Sequence, residues 1–168
     1  MWALSNYRVI VLMGVAGTGK STVGRRLAQA LAWPFYDGDD FHPQANIDKM
    51  AAGQPLTDAD RRPWLQALRA LIERQLAREE TAVIACSALK ERYRAILLPD
   101  GPRLALVHLT GSDHLIQERL QQRQGHFFST MLLADQLASL EPPAADLTVD
   151  IALTPAEIVA TIRQALCL

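Results

Sequence analysis

The chain has 168 residues, 49% of them hydrophobic and 21% charged, with a formal net charge of −1. That length gives one domain (1–168) with a sizeable core and excludes two ordinary domains with a linker between them. Near-neutrality excludes a global pull toward nucleic acid or an anionic membrane surface, so an anion has to be bound by a local site.

Cys86 and Cys167 are far apart, and Cys86 sits in an apolar run. This predicts a reduced buried thiol rather than a disulfide, and with it a cytoplasmic location. The apolar run Val9 to Gly14 is shorter than a signal-peptide core, and no window reaches bilayer-spanning length. Neither a membrane partner nor a nucleic-acid partner is expected.

In chain order, short β-branched runs alternate with stretches of helical period, the pattern of βαβ units around a parallel sheet. A strand is predicted at 8–13, running into GVAGTGKS, Gly14 to Ser21, which fits G-x-x-x-x-G-K-[ST] in a strand–loop–helix context. Such a cradle (Gly14, Val15, Ala16, Gly17, Thr18, Gly19) turns backbone N–H groups inward around a β-phosphate, and the helix start adds its positive dipole end. Lys20 then reaches the β- and γ-phosphates and Ser21 offers a hydroxyl to Mg²⁺, with Thr22 next in the first turn. The motif predicts a nucleoside triphosphate site without saying whether the nucleotide is hydrolysed or its phosphoryl group handed on.

A helix is predicted from Lys20 to Ala32, with Val23, Leu27, Ala30 and Leu31 on one face and Trp33-Pro34 as its stop. A strand around Phe35 and Tyr36 leads into FYDGDDFHPQANIDKM (35–50), which holds four aspartates, a histidine and a lysine and reads as neither helix face nor strand. Asp37 and Asp39, alternating on an extended backbone with Gly38 between them, both face the phosphates. Asp37 suits a metal-bound water and Asp39 a general base; a metal-only site or an Asp-rich capped turn is the alternative. His42, beside Pro43, is assigned to shaping the pocket. Lys49 and Arg62 are either cations for an anionic substrate or solvated surface charges.

A helix beginning near Asp58, with that carboxylate as cap, carries Trp64, Leu68, Leu71, Ile72 and Leu76. The strand at 81–86 ends in Cys86-Ser87 where a motor or GTPase switch would carry a Walker-B aspartate, which argues against both classes. On a helix at 88–97, Ser87, Lys90 and Arg94 at helical spacing place a hydroxyl and two cations at the cleft mouth, or form an ordinary basic amphipathic helix. After a strand at 103–109, the helix 113–124 ends with Arg119 and Arg123 four apart, followed by Gly125. These arginines belong either to a mobile lid over the γ-phosphate or to a helix C-terminus favouring cations through its dipole. Helices at 129–140 and 155–166 flank a strand at 147–151; Thr154-Pro155 caps the last helix, and the adenine pocket is expected near it. The fold class is α/β with three layers, and ligands are expected at the carboxyl ends of the strands.

The segments GVAGTGKST, DGDDFHPQANIDKMAAGQPLTDADRRPWL, CSALKERYR and RQGHFFSTMLLADQLASLEPP resemble the gluconate kinases, relatives of shikimate kinase among P-loop small-molecule kinases. The resemblance implies a P-loop kinase fold, α/β/α with a five-stranded parallel sheet and a small helical lid at about 119–142. It implies transfer of the γ-phosphoryl of ATP to the 6-hydroxyl of D-gluconate, with Mg²⁺, often in a homodimer. By the same likeness Lys20 and Ser21 contact ATP and Mg²⁺, Asp39 contacts the substrate hydroxyl, and Arg119 or Arg123 is the lid arginine. Lys49, Arg62, Lys90 and Arg94 are candidates for the acceptor's carboxylate. Ala95, Asp135 and Leu137 depart from the family pattern, which bears on lid packing more than on chemistry. The rivals are a kinase for another hydroxy acid such as shikimate, or for a nucleotide, and a nucleotide-dependent binding module working through protein partners.

Overall fold

The computed structural model describes residues 6–122 and 130–168. Five parallel strands stand in the order β2-β3-β1-β4-β5: β1 Val9–Met13, β2 Phe35–Asp37, β3 Ala82–Ala85, β4 Leu104–Thr110 and β5 Leu147–Asp150. The central strand alternates between two cores with a period of two, as a doubly covered strand must. Ile10 and Leu12 face one cluster with Val23, Leu27 and Ile158, whereas Val9, Val11 and Met13 face another with Leu65, Leu68 and Ile72. Helices α1 (Lys20–Leu31), α5 (Asp113–Gln121) and α7 (Pro155–Ala165) supply the first layer. The second comes from α3 (Asp58–Ala77) and α4 (Glu91–Leu97), with α2 (Gln44–Ala51) and α6 (Thr130–Ser139) completing the helices.

Register sets the site. Leu12 of β1 pairs with Ala85 of β3, and Ala85 pairs with Asp37 of β2. The loops that leave β1, β3 and β2 therefore emerge side by side at one edge of the sheet, with β2 two strand spacings, roughly 10 Å, from β1.

The sequence reading and the structure part company in the acidic stretch. β2 ends at Asp37, and Gly38–Phe41 forms a 3-10 turn instead of an extended continuation, so Asp37 and Asp39 do not share a face by strand alternation. The Asp37 carboxylate caps that turn, accepting the Asp39 N–H at 3.2 Å. Gln44–Ala51 is helical although its pattern reads as neither element; its apolar residues Ile47 and Met50 are exposed, so no core-facing stripe marks it. α3 is capped by Thr57, not Asp58: Thr57 Oγ1 accepts the Asp60 N–H while the Asp60 carboxylate accepts the Thr57 N–H. α4 begins only at Glu91, which leaves Ser87 on the preceding loop and Lys90 at the helix cap. Among the described residues no helix is long and apolar enough to cross a membrane.

Gly38 lies where the turn leaves the sheet, and a Cβ there would stand 2.5 Å from the backbone oxygen of Ala85. Neither backbone can retreat without breaking the β2–β3 pairing. Gly38→Ala is expected to destabilise the fold by about 1–3 kcal/mol, a typical overpacking cost, read as a lower denaturant midpoint in urea melts.

Candidate active site

The cradle follows the central strand. Gly17 and Gly19 both adopt φ 85, a left-handed conformation that lets the loop double back, and Gly19 caps α1 without any side-chain hydrogen bond. No cap side chain therefore covers the N-terminus of α1, the end of a helix that favours an anion. Thr18 is buried and its Oγ1 donates to Val15 O at 2.8 Å; Lys20 Nζ donates to the same carbonyl at 3.1 Å. Lys20 is held across the loop mouth, where a phosphate would meet it.

The acidic turn closes on this cradle. Ser21 Oγ donates to Asp37 Oδ2 at 2.6 Å, joining the first turn of α1 to the end of β2. Asp39 stands beyond it. Although its side chain reaches solvent, protein packs around most of it, and this partial dehydration together with the Asp37 charge raises its pKa above the ordinary carboxylate range. Lys20 lies near enough to offset part of that rise.

Three residues pin the turn from outside. Trp64 of α3 donates its indole N–H to Gly38 O at 2.7 Å, and His42 stacks on the Trp64 ring with centroids 4.3 Å apart. Buried Asn46 donates to Asp60 O at 2.9 Å and lies 3.2 Å from His42 Nδ1. Burial lowers the His42 pKa, which suits a neutral ring taking the Asn46 N–H on Nδ1. The Trp64 ring and the Asn46 amide thus fix His42 beside the acidic turn.

The cations divide according to what they already hold. Lys49 Nζ pairs with Asp60 at 2.8 Å; that bond and those from Thr57 pull the Asp60 carboxyl down to about 2. Arg94 is buried and donates to the carbonyls of Ala88 and Leu89, both at 2.9 Å, so it shapes the loop after β3 from beneath. Arg62 is exposed. Lys90 instead lies 5.6 Å from the Tyr93 ring centroid, and Arg61, one position before the predicted residue, lies 5.5 Å from the same ring and close enough to His42 to help lower its pKa. Arg61 carried no signal that distinguished it from Arg62. Ser87 is half-buried on the loop itself. Cys86 is a free, buried thiol that burial pushes up to about 12, and Cys167 is also free.

On the opposite side of the cradle a cavity of about 170 Å³ is lined by Gly17, Gly19, Thr22, Arg119, Pro155 and Ile158. Arg119 is fixed there by a 2.5 Å hydrogen bond to Ile151 O. Arg123 and Gly125 lie outside the described residues, as does the rest of 123–129 of the expected lid.

A glycine cradle at the end of a central parallel strand, an aspartate turn across from it and a cavity behind it define a P-loop phosphotransferase site. Residues 9–143 match the family described as AAA domain. The chain is 48% identical to the gluconokinase of Gluconobacter oxydans (strain 621H), covering 83% of this chain and 78% of that protein. It is 45% identical to the thermoresistant gluconokinase of Escherichia coli (strain K12), covering 85% and 82%. A gluconokinase from Sinorhizobium meliloti 1021 superposes with a TM-score of 0.84 at 44% identity, over 98% of this chain and 94% of that one. The chain belongs to the gluconokinase family of P-loop kinases.

The raised pKa of Asp39 makes a stability prediction. A carboxyl that binds its proton more readily folded than unfolded destabilises the fold when charged, and the cost disappears as pH falls through its folded pKa. Asp39→Asn is expected to raise the melting temperature at pH 7, with the gain shrinking in acid as wild-type Asp39 takes up its proton. Thermal melts of both proteins across pH check the sign.

Proposed function

We propose that the protein transfers the γ-phosphoryl group of ATP to the 6-hydroxyl of D-gluconate, giving 6-phospho-D-gluconate and ADP. The observation that carries this reading is the closure of the acidic turn on the cradle: Ser21 and Asp37 touch at 2.6 Å, with Asp39 and Lys20 within electrostatic reach of each other. An alcohol held at one side thereby meets a phosphate held at the other.

In this reading the cradle amides and Lys20 grip the terminal phosphates, and the cavity bounded by Arg119 and Pro155 takes the nucleoside. Asp39 accepts the proton of the attacking hydroxyl. The new bond joins O6 to the γ-phosphorus, the bond from that phosphorus to the β,γ-bridging oxygen breaks, and ADP leaves with the electron pair. A raised pKa favours Asp39 in this role, since a stronger base takes the proton more readily.

Ser21 and Asp37 offer a hydroxyl and a carboxylate side by side, hard oxygen donors that fit Mg²⁺. When bound, the ion neutralises charge on the phosphate oxygens. Among the described residues no group of three or more His, Cys, Asp or Glu is placed to hold a metal unaided, so the phosphates would supply the remaining ligands.

For the acceptor's carboxylate we assign Lys90 and Arg61: Lys49 is paired with Asp60, Arg94 is buried beneath the loop and Arg62 is exposed, whereas Arg61, although one of its nitrogens donates to Leu56 O, lies within electrostatic reach of His42. Ser87, on the same loop, is placed with the polyol hydroxyls and His42 with the wall behind them. Arg123 is the lid arginine in this scheme, Arg119 being tied to Ile151 O. A homodimer in the cytoplasm, with no nucleic-acid or membrane partner, completes the reading on the strength of the family likeness.

The test mixes protein, ATP and Mg²⁺ and measures ADP with gluconate, shikimate, glycerate or nucleoside monophosphates as acceptor. Stimulation by gluconate above the others is expected; stimulation by another acid alone would overturn the substrate, and none by any would overturn phosphoryl transfer. Asp39→Asn is expected to lower kcat by about 10²-fold or more, as loss of a positioned base does, with ATP binding retained in titrations.

A further inference from the structure

The amides of Gly17, Gly19 and Ser21 have no intramolecular acceptor among the described residues and stay available to an anion. Ala16 differs. Its N–H donates to Oε1 of Gln136, on α6, at 2.7 Å across 120 positions of sequence. The partner is half-buried, and its helix is fixed to the body of the protein on both sides of it. Leu133, one turn earlier, is buried with Ile116 and Leu120 in the core that also receives Val15. Just past the helix, Glu141 N donates to Leu89 O at 2.9 Å, and the Glu141 carboxylate accepts the Glu91 N–H at 2.6 Å. α6 therefore touches the phosphate cradle at Gln136, and the chain just past it touches the loop after β3 at Glu141.

We propose that Gln136 is a positioning residue for phosphoryl transfer, bracing the Val15–Gly17 half of the cradle through the Ala16 N–H so that the remaining amides are preset for the nucleotide's phosphates. It touches no reacting atom. A glycine-rich loop with several inward amides has many conformations to lose on binding, and a fixed acceptor outside the loop removes part of that loss in advance. Through Glu141 the chain just past this helix holds the loop bearing Ser87 and Lys90, so the donor and acceptor sides share one support. This rests on the ATP-dependent reading above, and it assigns to the helix after the lid segment a task that neither the cradle motif nor the acidic turn contains.

The test compares wild type with Gln136→Met, which keeps side-chain length but has no oxygen, and Gln136→Asn, which keeps the amide but is one methylene short. Gln136→Glu retains an acceptor of the same reach. Exchange of the Ala16 amide with solvent, followed by NMR, should quicken by about fivefold or more in the Met and Asn variants and stay slow in Glu, the loss matching one hydrogen bond. The Met and Asn variants should raise KM for ATP by about fivefold while kcat, KM for gluconate and the melting temperature stay near wild type. An unchanged KM for ATP overturns the proposal, as does an equal fall in melting temperature and in all kinetic constants. A lowered KM overturns it too, because Gln136 would then compete with phosphate for the amide. If the wild type fails to use gluconate, the functional reading falls, and ATP affinity from direct titration of the same variants still decides the role of Gln136.

Discussion

The two oxygens of Asp37 hold the active site together. Oδ2 accepts from Ser21 Oγ at 2.6 Å and Oδ1 accepts the Asp39 N–H at 3.2 Å, so one carboxylate faces both the phosphate cradle and the acidic turn. The sheet alone would leave these apart, because β3 stands between β1 and β2. A short side-chain bridge across that gap turns three neighbouring loops into one recess. The nearby Arg25 adds little: its contact with Asp37 is 4.0 Å long and its side chain is largely exposed, the regime in which ion pairs contribute least.

That closure has an electrostatic cost. Packing protein around part of the Asp39 side chain and setting the Asp37 charge beside it disfavours charge on Asp39, and Lys20 relieves only part of it. In the proposed reading a triphosphate brought to the same recess would add like charge, to be offset by the helix N-terminus, Lys20 and the divalent ion proposed at the Ser21–Asp37 donors. The chain's net charge of −1 says nothing of this, since the relevant fields act over a few ångströms.

What could be read from the sequence follows from how local each signal is. The strand–cradle–helix unit was legible because glycine spacing, a following Lys-Ser and an apolar run all lie within about fifteen residues. The sheet was legible because its buried strands read as continuous apolar runs. The acidic stretch was only half legible: its composition announced a polar site, but its geometry depends on Trp64 reaching Gly38 O from 26 residues away, which no local pattern encodes. Thr57 displaced Asp58 as the helix cap because Asp60 completes a reciprocal box with it, leaving Asp58 to accept from Tyr93 and pair with Arg92. The cations were the least legible. Arg61 and Arg62 differ by one step of helix rotation, and only the packing of α3 beside α4 turns the first toward Tyr93.

The same sorting narrows the lid chemistry. An arginine that stabilises a transferring phosphoryl group must be able to move onto it, and mobility requires that its resting contacts be few. Arg119 is a poor candidate on that ground: its guanidinium donates to Ile151 O and its side chain walls the cavity behind the cradle, a place set by α5 and the β5–α7 junction rather than by any closing segment. Of the two arginines that close helical spacing made equivalent in the sequence, the fold commits Arg119 to the cavity wall. In the proposed reading the transition-state role therefore falls to Arg123, which lies outside the described residues. α6 itself is fastened at Leu133 and Gln136, and the chain just past it at Glu141, so the helix beside the cradle is a fixed support for both sides of the recess.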